Sequence, residues 1–208
     1  MARAVKPELL LFDLDGVLVA YDRPRRWNAL GAALGLPAET VQAAIITGGI
    51  EFRYDRGELD TRAYLEACSL ALGVEVTEKA WVAARHGSMT VPEEVNRAII
   101  ALATQAEVAV LTNNGPMVLD LIPILMPEIW HLLDGRILSS AHFGVEKPAP
   151  RVYQLAVERL GHRPERTLFF DDNIENVAGA REAGLLAEHV PVPGRLTGIA
   201  GRHGFADF

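Results

Sequence analysis

The sequence predicts an α/β fold, a doubly wound parallel sheet that carries a small helical-bundle cap as an insertion. Two observations predict the sheet. Three short apolar runs end abruptly in polar residues: Leu9-Leu10-Leu11-Phe12 before Asp13, Val108-Ala109-Val110-Leu111 before Thr112, and Leu168-Phe169-Phe170 before Asp171. Helical patterns then follow or separate these runs, at about residues 95–105, 116–125, 151–160 and 173–183. A third observation predicts the insertion: between the first two runs lies a long segment, about residues 21–90, with helical patches and no convincing strand.

Each element has its own justification. A continuous apolar run of three or four residues, with no polar alternation, suits a strand of a parallel sheet covered on both faces. Strands alternating with helices in this way build a doubly wound domain. In the inserted segment the helical patches fall at about residues 25–34, 38–46, 61–72 and 77–85. They are broken by Gly35-Leu36-Pro37, Gly48-Gly49, Gly57 and Gly73, the residue types that stop helices. Residues 1–20 and 91–208 are therefore assigned to the core domain and residues 21–90 to a cap, placed like a lid just after the first strand. The Pro- and Gly-rich tail, residues 191–204, reads as surface loop with a short helix. Ligands of such sheets bind beyond the carboxyl ends of the strands, where the three polar clusters fall.

Half of the 208 residues are hydrophobic, enough for one sizeable core with an insertion. The formal net charge of −7 means that a phosphate-seeking site has to make its own positive potential, with a metal or a few placed cations. No basic tract suggests nucleic acid or an anionic membrane surface. The most apolar early stretch is too short to span a bilayer, and it is interrupted by Asp13 and Asp15, which a secretory core would not carry. Cys68 is the sole cysteine, so no internal disulfide forms and a reducing cytoplasm is the expected compartment. It is read as filling a helix face, as a small hydrophobe.

Four segments carry chemistry. Asp13-Leu14-Asp15-Gly16 follows the first strand, so two carboxylates emerge at its end while Gly16 lets the chain turn away. Mg²⁺ commonly takes one or two protein carboxylates together with waters and substrate phosphate. The spacing rules out a calcium-binding EF-hand loop, because Gly16 arrives too early and no glutamate stands at the required distance. Leu111-Thr112-Asn113-Asn114-Gly115-Pro116 sets a hydroxyl and exposed backbone amides at a strand end ahead of a helix, an anion cradle as well as a possible helix cap. Thr112 is the expected phosphate hydroxyl contact. Lys147, in Gly144-Val145-Glu146-Lys147-Pro148-Ala149-Pro150, sits in a rigid setting at the mouth of a helix and reads as a fixed countercharge for phosphate. Asp171 and Asp172 adjoin after a strongly apolar strand, where two uncompensated charges repel unless a cation is present.

In this order the four segments resemble the haloacid dehalogenase (HAD) superfamily, in its subfamily with a helical cap after the first motif, and the resemblance spans nearly the whole chain. It implies a Rossmann-like core and a Mg²⁺-dependent phosphatase acting on a small phosphorylated metabolite through an aspartyl-phosphate. By matching position it makes Asp13 the nucleophile and a magnesium ligand. Asp15 becomes the general acid/base, whose backbone carbonyl also meets the metal. Thr112 and the Asn113 amide bind phosphate, and Lys147 ties nucleophile and phosphate together. Asp172 aligns with the metal carboxylate, with Asp171 a secondary or water-mediated ligand. Asn176 stands where many phosphatases of the group carry a further aspartate, a departure in the outer metal shell. The dehalogenases of the superfamily lack the second aspartate of the first motif, so Asp15 points to phosphoryl transfer. Two other readings remain open at the level of sequence: a phosphomutase with the same core residues, and a catalytically silent binding domain.

The cap residues Arg23, Arg25, Arg26, Trp27, Arg53, Tyr54 and Arg56 are candidates for leaving-group contacts. Such arginines are more often solvated or paired, here with Glu51, Asp55 and Glu58, and none is assigned to the site. The histidines show no metal-ligand spacing, Trp81 and Trp130 read as packing residues, and there is no dinucleotide fingerprint or phosphate-loop lysine motif.

Overall fold

Leu9–Phe12, buried along its whole length, forms the central strand β1 in a computed structural model of the chain, which describes residues 6–193 and 195–206. A short strand β2 (Ala20–Tyr21) leads into α1 (Arg23–Leu34) and α2 (Ala38–Gln42), which widens into a π turn over Ala43–Thr47. Then come α3 (Ile50–Asp55), α4 (Thr61–Leu72), α5 (Glu78–Gly87) and β3 (Met89–Thr90). The chain continues through α6 (Glu93–Ala103), β4 (Glu107–Thr112), α7 (Pro116–Leu119), α8 (Ile122–Leu125), α9 (Trp130–Leu133) and β5 (Ile137–Ser139). A 3₁₀ turn over Ser140–Phe143 precedes α10 (Pro150–Arg159), β6 (Thr167–Asp171), α11 (Ile174–Glu182), β7 (Leu186–His189) and α12 (Leu196–Gly201).

The main sheet has the order β5-β4-β1-β6-β7, and every pairing in it is parallel. Because side chains alternate along a strand, each run feeds two cores. Leu10, Phe12, Val108, Val110, Leu168 and Phe170 meet Val95, Ile99 and Leu102 of α6 in one core. Leu9, Leu11, Ala109, Leu111 and Phe169 meet Val152, Tyr153 and Ala156 of α10 and Val177 and Ala180 of α11 in the other. Helices thus cover both faces, as the unalternated apolar runs require. Phe12 and Phe170 stack across neighbouring strands at 4.8 Å between centroids. Such a pair contributes about 0.5–1.5 kcal/mol beyond its buried area.

Between β2 and β3 the chain is all helical. Three of its helices start on side-chain caps: Asp22 accepts from the Arg25 amide, Asp60 from Ala63 and Thr77 from Ala80. The two ends of the segment lie side by side, since β2 and β3 pair antiparallel and the Asp22 amide donates to the Ser88 carbonyl at 2.9 Å.

The structure adds to the sequence reading and corrects it in places. The β2–β3 ribbon occupies the ends of a segment expected to hold no strand; two-residue strands leave no periodicity to read. The edge strands β5 and β7, and helix α3, are short and of mixed burial, and they too were not anticipated. The helix expected over residues 116–125 is two, α7 and α8, with Pro123 in the first turn of the second. In the tail α12 is the expected short helix, yet it is not surface loop: Leu196, Ile199, Ala200 and Phe205 are buried in the core shared with α6. Gly194, within that tail, lies outside the described residues. Cys68 is buried on α4 as expected, and burial pushes its thiol up to about 11. Among the described residues, no single helix is long and apolar enough to cross a membrane.

Candidate active site

Three strands of the sheet end at one cleft of about 1110 Å³. At the end of β1 the Asp13 amide still bonds to the Phe170 carbonyl, at 2.9 Å, so its side chain is set by the sheet itself. The chain then turns at Gly16, whose φ of +83° is left-handed. A Cβ there would also lie 2.1 Å from Oδ2 of Asp172, so only glycine lets the first and last motifs approach.

At the end of β4 the Thr112 hydroxyl accepts from the Asn114 backbone amide at 3.3 Å and from its Nδ2 at 2.7 Å. The side chain of Asn113 reaches sideways to Lys147, accepting from its backbone amide and donating to its carbonyl, both at 3.0 Å. That double bond fixes the backbone of a lysine that is only 4% exposed. Its Nζ lies 2.7 Å from Oδ1 of Asp13 and 2.8 Å from Oδ2 of Asp171. Asp171, at the end of β6, is fully buried and has both oxygens engaged. Oδ1 accepts from the Asn173 amide and from Nδ2 of Asn176, which also reaches Oδ2. Asp172 turns to the cleft and is exposed.

The charges explain the titration of the group. Burial raises Asp13 most; the Lys147 ammonium opposes it and the Asp171 charge adds to it, leaving Asp13 at about 7. Burial alone would lower Lys147, but the two carboxylates outweigh it and hold the lysine above its ordinary value. Burial, then the charge of Asp171, also raises Asp172. One ammonium among three carboxylates leaves an excess of negative charge at the strand ends. Asp13, Asp171 and Asp172 each offer a carboxylate oxygen within 4.8 Å of the others. A hard divalent cation with oxygen ligands, such as Mg²⁺, fits that excess, and since the oxygens of Asp171 are already engaged, Asp13 and Asp172 are the open carboxylates.

All seven residues singled out from sequence therefore converge. Asp13, Asp15, Thr112, Asn113, Lys147 and Asp172 line the cleft, and Asp171 lies beneath it. The opposite wall comes from the helical segment and includes Arg23, Trp27, Gln42, Phe52, Asp55 and Arg85. Among the arginines of that segment, Arg26 is buried and makes a bidentate pair with Glu51, 2.6 Å on both arms. Arg53 reaches Glu58 at 3.5 Å, whereas Arg56 crosses to Glu146 at 2.8 Å, a partner outside the expected set. Sequence reasoning missed Arg85 and Asn114. Arg85 donates to Oδ2 of Asp15 at 2.5 Å, and Asn114 donates to the same oxygen at 3.2 Å. An arginine in the last turn of a helix is ordinary, and nothing local marks its distant partner.

Comparison with known proteins agrees with this geometry. A family model described as haloacid dehalogenase-like hydrolase matches residues 7–184. A phosphatase of Mycobacterium tuberculosis is 32% identical over 190 residues, covering 86% of this chain and 84% of that protein. A D-ribitol-5-phosphate phosphatase of Bacteroides thetaiotaomicron is 27% identical over 184 residues, covering 84% of this chain and 87% of that one. Among solved structures, a HAD-like family hydrolase from Porphyromonas gingivalis superposes with a TM-score of 0.77 at 25% identity, over 89% of this chain and 91% of the other. A HAD family enzyme from Bacteroides thetaiotaomicron, in complex with magnesium and inorganic phosphate, superposes with a TM-score of 0.73 at 22% identity, over 88% and 93%. At that identity the likeness is one of fold.

Proposed function

The chain belongs to the haloacid dehalogenase-like hydrolase family and is a phosphohydrolase; from that premise we propose that it is a magnesium-dependent phosphatase hydrolysing a small phosphorylated metabolite through an aspartyl-phosphate on Asp13. The observation that carries this reading is the meeting of Asp13, Asp15, Thr112, Lys147 and Asp172 on one cleft. Residues 1–20 and 91–208 are the catalytic core and residues 21–90 a cap that faces the leaving group; the insert residues on the opposite cleft wall support that division. A cytoplasmic location fits a sole cysteine that is buried and unpaired.

In the first step an oxygen of Asp13 bonds to phosphorus in line as the ester P–O bond breaks, and Asp15 gives its proton to the leaving oxygen. In the second, water bonds to the same phosphorus, the Asp13–phosphorus bond breaks, and Asp15 takes the proton from the water. Lys147, the hydroxyl of Thr112 and the Asn113 amide hold the phosphoryl oxygens. The Thr112 oxygen already accepts two hydrogen bonds from Asn114, so its own hydrogen is available to donate. Magnesium held by Asp13, Asp172 and the carbonyl of Asp15 would supply neutralisation of phosphoryl charge.

The test is phosphate release by the chelator-stripped protein as magnesium is titrated back, with Asp13→Asn alongside. Turnover should appear with magnesium and fall by about 10³-fold or more in the variant, since an amide cannot form the acyl-phosphate at a useful rate. Near wild-type turnover by a folded Asp13→Asn protein would remove Asp13 from the centre of the reaction.

A further inference from the structure

Arg85 stands in the last turn of α5, is 1% exposed and lines the cleft. Its Nη2 donates both to Oδ2 of Asp15, at 2.5 Å, and to Oδ1 of Asn114, at 3.0 Å. Asn114 closes the triangle, its Nδ2 donating to that same Oδ2 at 3.2 Å and to the Thr112 hydroxyl oxygen at 2.7 Å. The guanidinium carbon also lies 3.6 Å from the ring centroid of Tyr21, at the start of the insert, which holds the fork in place from behind.

The two oxygens of Asp15 are consequently unlike. Both donors converge on Oδ2, while Oδ1 is buried and has no hydrogen-bond partner among the described residues. Nε of Arg85 is likewise unpartnered, so the ion pair is not arranged for fullest mutual satisfaction.

On the reading of Asp15 as acid/base, we infer that Arg85, together with Asn114, clamps the carboxylate through Oδ2 and thereby fixes the orientation in which Asp15 transfers the proton. A carboxyl free to rotate points its oxygens in many directions; one held through Oδ2 keeps a single orientation, and proton transfer needs that fixed geometry. In the first step the proton leaves the Asp15 carboxyl for the ester oxygen as its bond to phosphorus breaks. In the second the water's proton passes to the Asp15 carboxylate as the water oxygen bonds to phosphorus and Asp13 is released. Arg85 is a positioning residue, and it comes from the helical insert while Asp15 follows β1. The clamp therefore exists only when α5 is docked on the core, which makes the proton-transfer step conditional on the insert.

The experiment compares wild type, Asp15→Asn, Arg85→Gln and Arg85→Lys on glycerol 1-phosphate, whose alkoxide needs a proton to leave, and on p-nitrophenyl phosphate, whose phenolate does not. Arg85→Gln should lower kcat on the alkyl ester by about 10²-fold, with KM held within about threefold. On the nitrophenyl ester its first burst of nitrophenol should fall by less than about tenfold, with acid quenching capturing phosphate on the Asp13 peptide. Arg85→Lys should recover part of the alkyl rate, because an ammonium can donate to Oδ2 but sits on a shorter stem and lacks the planar fork that rests on Tyr21. Should the glutamine variant fail to fold by circular dichroism, the lysine variant carries the test through the same alkyl-to-aryl ratio. Equal losses on both esters, or a raised KM with unchanged kcat, would overturn the inference, the latter marking Arg85 as a direct substrate contact. If Asp15→Asn shifts the ratio and traps phosphoenzyme but neither Arg85 variant does, the clamp alone fails. If no protein traps phosphate on Asp13, the underlying mechanism fails with it.

Discussion

Asp55 shows how burial can set the charge of a single group. It lines the cleft from α3, and its Oδ1 accepts the amide of Gly115 at 2.8 Å. Burial, and then the charge of Glu51, push its carboxyl up to about 8 from an ordinary 3.8, against the opposing pull of the Gly115 amide, Arg26 and Arg85. The native state therefore keeps a proton that the unfolded chain releases, and stability falls as pH rises from about 4 to about 8. Asp55→Asn keeps an acceptor for Gly115 and removes the titration. In urea unfolding the variant should be the more stable protein at pH 8, by more than about 1 kcal/mol, with the gap closing toward pH 4. A difference that stays constant over this range would mean that Asp55 is ionised in the native protein. The same logic runs the other way at Lys147, where buried carboxylates keep the ammonium charged despite its burial.

The elements carry these side chains to their places, and α11 does so by contact with the loop that bears Lys147. A Cβ on Gly179 would stand 1.9 Å from the carbonyl oxygen of Pro148, and the Tyr153 hydroxyl donates to the Asn176 carbonyl at 2.8 Å, tying α10 to the same helix. Alanine favours a helix over glycine by about 0.8–1 kcal/mol. The overlap with a backbone atom is the larger effect, since overpacking costs about 1–3 kcal/mol where neighbours cannot give way. Gly179→Ala should thus lower the unfolding free energy despite its better propensity, and reduce turnover by moving Lys147. A thermal melt at or above the wild-type midpoint would show that the loop yields freely. Which elements were legible follows their length: β1, β4 and β6 are buried runs long enough to read, while β5 and β7 lie at the edges with mixed burial.

At the scale of the molecule, the insert leaves and re-enters the core through one narrow ribbon, β2 with β3, and meets the loops after β1 and β4 again through α5 and α3. Since Asp22 and Ser88 are hydrogen-bonded neighbours, residues 22–88 can be replaced by a short linker without parting the core strands. If the insert is the specificity cap proposed for it, the shortened protein should still hydrolyse p-nitrophenyl phosphate, and its spread of kcat/KM over a panel of phosphorylated metabolites should shrink by at least about tenfold. A folded deletion protein with the wild-type ranking would place specificity in the core. The sequence by itself determined the parallel sheet, the helical insert and the family resemblance of four motifs, because buried strands and the polar residues that end them are written in a few consecutive positions. Only the tertiary structure decided that Arg85 meets Asp15 across 70 residues, that Arg26 is absorbed by Glu51, and that Asp171 spends its oxygens on Lys147, Asn173 and Asn176. Those pairings depend on how separate helices and strands dock, a long-range outcome that no local pattern of residues encodes.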